Sequence, residues 1–117
     1  MKVSLNTYPE SIPAYPGTTI DLIIDAKSSS ENPSWLEAEV RLEGGFSLKP
    51  SNSARAGRFR VGICEGRDSC SKSIKLYAEH NVRPQLYKCH VSLFVFNRKG
   101  ESQGRIDEHT LIKCNSK

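Results

Sequence analysis

The stretch Leu86-Tyr87-Lys88-Cys89-His90-Val91-Ser92-Leu93-Phe94-Val95-Phe96-Asn97 is the most strand-like in the chain. Tyr87, Cys89, Val91, Leu93 and Val95 share one parity, and a β-strand sends alternate side chains to opposite faces. The other parity carries Lys88, His90, Ser92, Phe94 and Phe96, polar first and aromatic after. One face is therefore core along the whole strand, and the other is wet at one end and apolar at the other. A run this apolar belongs in the middle of a sheet.

Working outward, the same period of two recurs. Met1–Tyr8 alternates and is followed by Pro9, Pro13 and Pro16. Proline is tolerated at sheet edges, so this segment bends or switches sheets. After the turn Tyr15-Pro16-Gly17, the strand Thr18–Ala26 sends Ile20, Leu22, Ile24 and Ala26 to one side. Trp35–Glu43 places Leu36, Ala38, Val40 and Leu42 inward, and strict alternation favours a strand there over a helix. Phe46–Pro50, Arg58–Cys64, Cys70–Glu79 and Ile106–Cys114 complete the set. In Arg58–Cys64, Phe59, Val61 and Ile63 are expected inward, and Arg58 and Arg60 outward. Arg98–Arg105 reads as the last hairpin loop. Seven to eight short strands with polar turns between them predict an all-β antiparallel sandwich, folded as one domain over residues 1–117.

The chain of 117 residues is 37% hydrophobic, enough for a core and too apolar for a disordered tail. No apolar run approaches the ~20 residues of a membrane helix. Met1–Tyr8 lacks the apolar run of a secretory signal, so an exported form reads as a mature domain. Residues 1–44 hold three basic and seven acidic side chains and carry −4. Residues 45–117 hold fourteen and six and carry +8. Two readings follow: complementary charge between neighbouring strands, or a basic surface for an anionic partner.

Four cysteines, Cys64, Cys70, Cys89 and Cys114, in a small strand-rich chain point to two disulfides and an oxidising compartment. Cys64 and Cys70 flank the turn Glu65–Ser69 at the base of a hairpin. If Asn97 lies opposite Ile106, an antiparallel ladder also sets Cys89 opposite Cys114, within reach of a bond. Free buried thiols and a metal site remain as alternatives, the latter with His80, His90 and His109. The cysteine spacings lack the Cys-x2–4-Cys knuckle of structural zinc. Cytoplasmic proteins of hyperthermophiles are the exception to the compartment argument.

No constellation with catalytic logic is present. There is no Gly-x-Ser-x-Gly elbow and no glycine-rich phosphate loop. The paired acids Asp21/Asp25 and Glu37/Glu39 fall on solvated strand faces. No cofactor is implied. Aromatics beside basic residues remain: Phe94 and Phe96, with Arg98 and Lys99 just beyond them, and Tyr77 near Lys75 and Arg83. Phe94 and Phe96 form a candidate contact surface on the sheet that also holds Trp35–Glu43 and Ile106–Cys114, with Arg98 and Lys99 at its rim. The competing expectation is that the Lys27–Ser34 loop or the N-terminal arm covers both rings. A polyanion or nucleic acid using the basic C-terminal two-thirds is the second reading, since aromatic and basic side chains together make stacking platforms.

Tyr87-x-Cys89 resembles the tyrosine corner of immunoglobulin-like domains, and Trp35 stands near the place of their buried tryptophan. Thr18–Ala26 has no cysteine, so the inter-sheet bond of antibody domains is missing. The chain is more similar to the Ig-like sandwiches of prokaryotic surface proteins, the cell-adhesion-related (CARDB-type) modules. The shared pattern is Tyr15-Pro16-Gly17, Thr18–Leu22, Gly45–Pro50 and Tyr87–Val91. That resemblance implies an Ig-like β-sandwich serving as an extracellular, non-catalytic adhesion or spacer module with a protein partner. It transfers no binding residues.

Overall fold

The computed structural model describes residues 1–28, 31–50 and 54–116. Strand β8 (Leu86–Phe96) is central, as its apolar run demands. It lies between β9 (Ser102–Asn115) and β4 (Ser34–Leu42) in a five-stranded sheet. The outer members of that sheet are β2 (Ser11–Pro13), beside β9, and β6 (Ala56–Cys64), beside β4. The second sheet runs β1 (Lys2–Tyr8), β3 (Thr19–Lys27), β7 (Ser69–Ala78), β5 (Phe46–Ser47). Among the described residues all strand pairings are antiparallel except β2 with β9, which is parallel. This is an Ig-like β-sandwich. The nine described strands exceed the expected seven to eight because β2 and β5 are short.

The core follows from the alternation. Ile20, Leu22, Ile24 and Ala26 of β3 meet Leu36, Ala38 and Val40 of β4 and Val91 and Leu93 of β8, all buried. Each fully buried Ile or Leu contributes about 1.5–3 kcal/mol relative to exposure. The proline segment switches sheets as expected: β1 pairs with β3, and from Ser11, two residues on from Pro9, the chain runs along β9 as β2. The tyrosine corner also forms, with the Arg83 N–H donating to the Tyr87 hydroxyl at 2.7 Å.

Four expectations need correction. The first is Cys89–Cys114. The last hairpin closes over five residues rather than the eight of Arg98–Arg105. The Asn97 side-chain oxygen accepts from the N–H groups of Lys99 and Glu101, each at 2.9 Å. Gly100, at φ +80°, returns its N–H to the Asn97 carbonyl at 3.0 Å. The ladder therefore sets Cys89 opposite Thr110, while the Cys114 N–H bonds the Gln85 carbonyl. The two cysteines sit four residues apart along the ladder, about 13 Å, beyond a disulfide's reach. Because the slip is even, both thiols keep their inward parity, at 0% and 4% exposure, and both are free.

The second concerns Cys64–Cys70, which are bonded with Cα atoms 5.5 Å apart. They do not close a hairpin. β6 pairs with β4 and β7 pairs with β3, so the turn after Cys64 carries the chain from one sheet to the other. The bond joins the two sheets. The third is the parity of β6. A bulge opposite Leu36/Glu37, with Gly62 at φ +142°, shifts the register by one residue. Such a slip reverses every side chain beyond it. Ile63 is turned outward at 62% exposure, and Cys64 inward. The fourth is Trp35, which stands on the outer face of its sheet and not in the core.

Candidate functional site

The outer face of the five-stranded sheet carries the residues of interest. Register decides who meets whom there. Trp35 faces Phe96, Glu37 faces Phe94, and Glu39 faces Ser92 across the β4–β8 ladder. On the far side Phe94 faces Arg105 and Ser92 faces Asp107. On the near side Glu37 faces Arg60 and Glu39 faces Arg58.

The aromatics are held between arginines. The Arg58 guanidinium lies 4.4 Å from the Phe94 ring centre, and that of Arg105 lies 5.5 Å from it. Arg60 covers Trp35 at 5.0 Å, and Trp35 meets Phe96 edge-on at 6.4 Å. Each cation–π contact at a half-open site contributes about 0.5–1 kcal/mol. Phe94, Phe96 and Trp35 are all half-buried. Part of that cover comes from arginines of the same sheet, while the N-terminal strand β1 pairs elsewhere, with β3. Arg98 and Lys99 are exposed in the hairpin loop just past Phe96. With Asn97 they line one side of a groove of about 330 Å³, whose other side is Asn32, Pro33 and Ser34. The structure thus sets Phe94 and Phe96 on one face and Arg98 and Lys99 at its end. Trp35, Arg58, Arg60 and Arg105 complete the patch. The outward parity of Arg58 and Arg60 was visible in the sequence, but the pairing of β6 onto β4 was not.

At the middle of the face Ser92 is 1% exposed. Its hydroxyl donates to Asp107 Oδ1 at 2.7 Å and accepts from Arg105 Nη2 at 3.3 Å and Arg41 Nη2 at 3.4 Å. The Ser92 hydroxyl, then the Arg105 guanidinium, hold the Asp107 carboxyl below its usual range. A carboxylate so stabilised is a weak base. His90 is directed to Glu43 at 3.5 Å and stacks obliquely near His109. The imidazole and the hydroxyl therefore do not form a nucleophile–base pair, which requires a direct hydrogen bond.

Some of the charge is paired, across strands in one case. Glu37 binds Arg58 at 2.7 Å, Glu39 is 3.9 Å from Arg41, and Glu31 is 3.5 Å from Arg67. Glu37–Arg58, between β4 and β6, is a pair of the kind the complementary-charge reading expects; the other two lie within one strand or between loops.

The free thiols are chemically quiet. Burial pushes the Cys89 thiol up to about 12 and raises that of Cys114 as well. The thiolate is the reactive form. Alkylation of the native chain without reductant should therefore leave both untouched. In denaturant, mass spectrometry should show two labelled cysteines and two resistant ones. Four labelled cysteines would contradict the Cys64–Cys70 bond.

No family model and no curated protein matches the chain. Among solved structures, the major pilin subunit of Bacillus cereus superposes with a TM-score of 0.67 at 8% identity. The match covers 97% of this chain and 40% of that one, so this chain spans less than half of the pilin's length. What the two share is the fold. The resemblance to cell-adhesion-related modules rests on short motifs alone, without a matching family model.

Proposed function

We propose that this chain is a non-catalytic interaction module of an extracellular protein, acting as one domain that docks a partner protein. The observation that carries the reading is the Trp35–Phe96 and Arg58–Phe94–Arg105 patch. Aromatic and arginine side chains are the types enriched at protein interfaces and at their energetic centres. Here the arginines fix the rings in place, which lowers the ordering cost of binding. The Cys64–Cys70 bond fits an oxidising compartment. The motifs shared with cell-adhesion-related modules and the fold shared with a pilin subunit agree with a protein that works by contact.

The polyanion reading is the alternative: among the described residues, Arg58 and Arg67 are the lysines and arginines after residue 44 that pair with acids of the first 44. Salt separates the two: phosphate or sulfate contacts weaken steeply as salt rises, and apolar contacts do not. The patch itself is tested by Phe94→Ser combined with Phe96→Ser. Binding of labelled chain to partner-displaying cells should fall at least about tenfold, equal to about 1.4 kcal/mol. The thermal midpoint should fall by on the order of 5–10 °C, the cost of the lost ring contacts, with the single cooperative transition retained because neither ring is in the core. Unchanged binding by a folded double variant would remove this face from the reading.

A further inference from the structure

β9 is long, and most of its outer edge is open. β2 covers only Lys113–Asn115, and among the described residues no strand pairs with the far side of Ser102–Ile112. The direction of the backbone groups follows from two bonds at the closed end. The Cys114 N–H turns toward β8, to the Gln85 carbonyl, while the Asn115 carbonyl turns toward β2, accepting from Ala14. In an antiparallel ladder these directions alternate. Arg105, Asp107, His109 and Leu111 therefore aim their N–H and C=O groups out of the sheet. Beside that edge lies an open cleft of about 600 Å³ between the sheets, lined in part by Met1, Val3, Ala26, Ile106 and Glu108.

We infer that this edge pairs with the same edge of a second copy of the chain, antiparallel and centred on Ile106. Side-chain chemistry selects the partner and the register. Only residues with outward backbone groups can exchange bonds, so odd positions must face odd positions. Centring the two-fold axis on Ile106 sets Arg105 opposite Asp107 of the second copy, and Asp107 opposite its Arg105. On the inner side it sets Ile106 against Ile106, where the two clefts join, and Glu108 against Gly104, which has no side chain to oppose it. Centring on Arg105 or Asp107 places like charges face to face, and centring on Glu108 sets two buried-side carboxylates together. Like charges directly opposite destabilise a strand pair. The chain's own N-terminal strand does not suit the gap. Continuing the parallel β2 register backward would point Ser4, Asn6 and Tyr8 inward and turn Val3 and Leu5 out. The inward Glu108 also guards the edge against indiscriminate pairing. A self-complementary edge of this kind makes a closed two-fold dimer and not a fibre. One strand edge is a small interface, so the dimer is weak and concentration-dependent.

Sedimentation equilibrium over a concentration series tests this on the intact chain. The wild type should move toward doubled mass as concentration rises. Asp107→Arg alone sets one arginine opposite Arg105 of each partner copy, and Arg105→Asp alone sets aspartates opposite aspartates. Each single variant should stay monomeric with a retained melting transition. Mixing the two single variants should restore a heterodimer, because every opposed pair is then of unlike sign. The Arg105→Asp, Asp107→Arg double variant should dimerise on its own. A wild type that is monomeric throughout, or single variants that dimerise as the wild type does, would overturn the inference.

Discussion

Phe46→Ala should destabilise the fold by about 3–5 kcal/mol, the range for emptying a buried aromatic site. Phe46 is wholly buried although its strand β5 is only two residues long. Its ring meets Tyr87 edge-on at 5.3 Å and 76°. Collapse around the vacated space is blocked from both sides. Tyr87 is anchored through its hydroxyl to Arg83. Its ring also lies so close over Gly45, at φ +95°, that a Cβ there would overlap it. A site that cannot relax keeps its cavity and the full cost with it. The midpoint of urea unfolding should fall with an unchanged slope, and the thermal midpoint should drop by on the order of 10–20 °C. A loss below about 1 kcal/mol would mean that the corner is not rigid.

That corner shows what the sequence could reveal. Tyr87-x-Cys89 announced a hydroxyl bonded back to the chain, and the bond is there. The alternation of Tyr87 through Val95 placed β8 at the centre of its sheet with the correct inward face. The prolines after β1 announced a change of sheet. These are signals carried by local chemistry: parity, a fixed φ, a missing N–H.

The sequence misled wherever the answer depended on how two distant segments align. The Cys89–Cys114 expectation required the length of one hairpin loop, which the Asn97 side chain shortens by capturing two N–H groups. Parity survives an even slip, so the burial of both thiols was legible while their pairing was not. The outward turn of Ile63 depends on one bulged residue, and glycine at position 62 is only a weak sign of a bulge. The patch was half legible for the same reason. Phe94 and Phe96 share a strand, whereas Arg58 and Arg60 reach them across β4, and β6 follows β4 in the sheet only after β5 has visited the other one.

Cys64→Ser combined with Cys70→Ser should cost about 2–5 kcal/mol. At a sequence separation of six between the bonded cysteines, loop entropy accounts for about 2 kcal/mol. The remainder comes from place. Cys64 is fully buried, so a serine hydroxyl there must find a partner or lose about 1–3 kcal/mol. The bond also pins the end of β6, an edge strand whose ladder to β4 is already interrupted by the bulge at Leu36/Glu37. Release should therefore loosen β6 first. Amide exchange should rise at Val61–Cys64 well before it rises in β3 or β8. Buried Cys89 and Cys114 take no part, so reductant on the wild type should lower the urea midpoint by the share of the bond alone, less than the double variant does, because a reduced Cys64 puts no serine hydroxyl into the core. Equal midpoints with and without reductant would show that the sheets hold together through their core alone, and that the bond between them contributes nothing to stability.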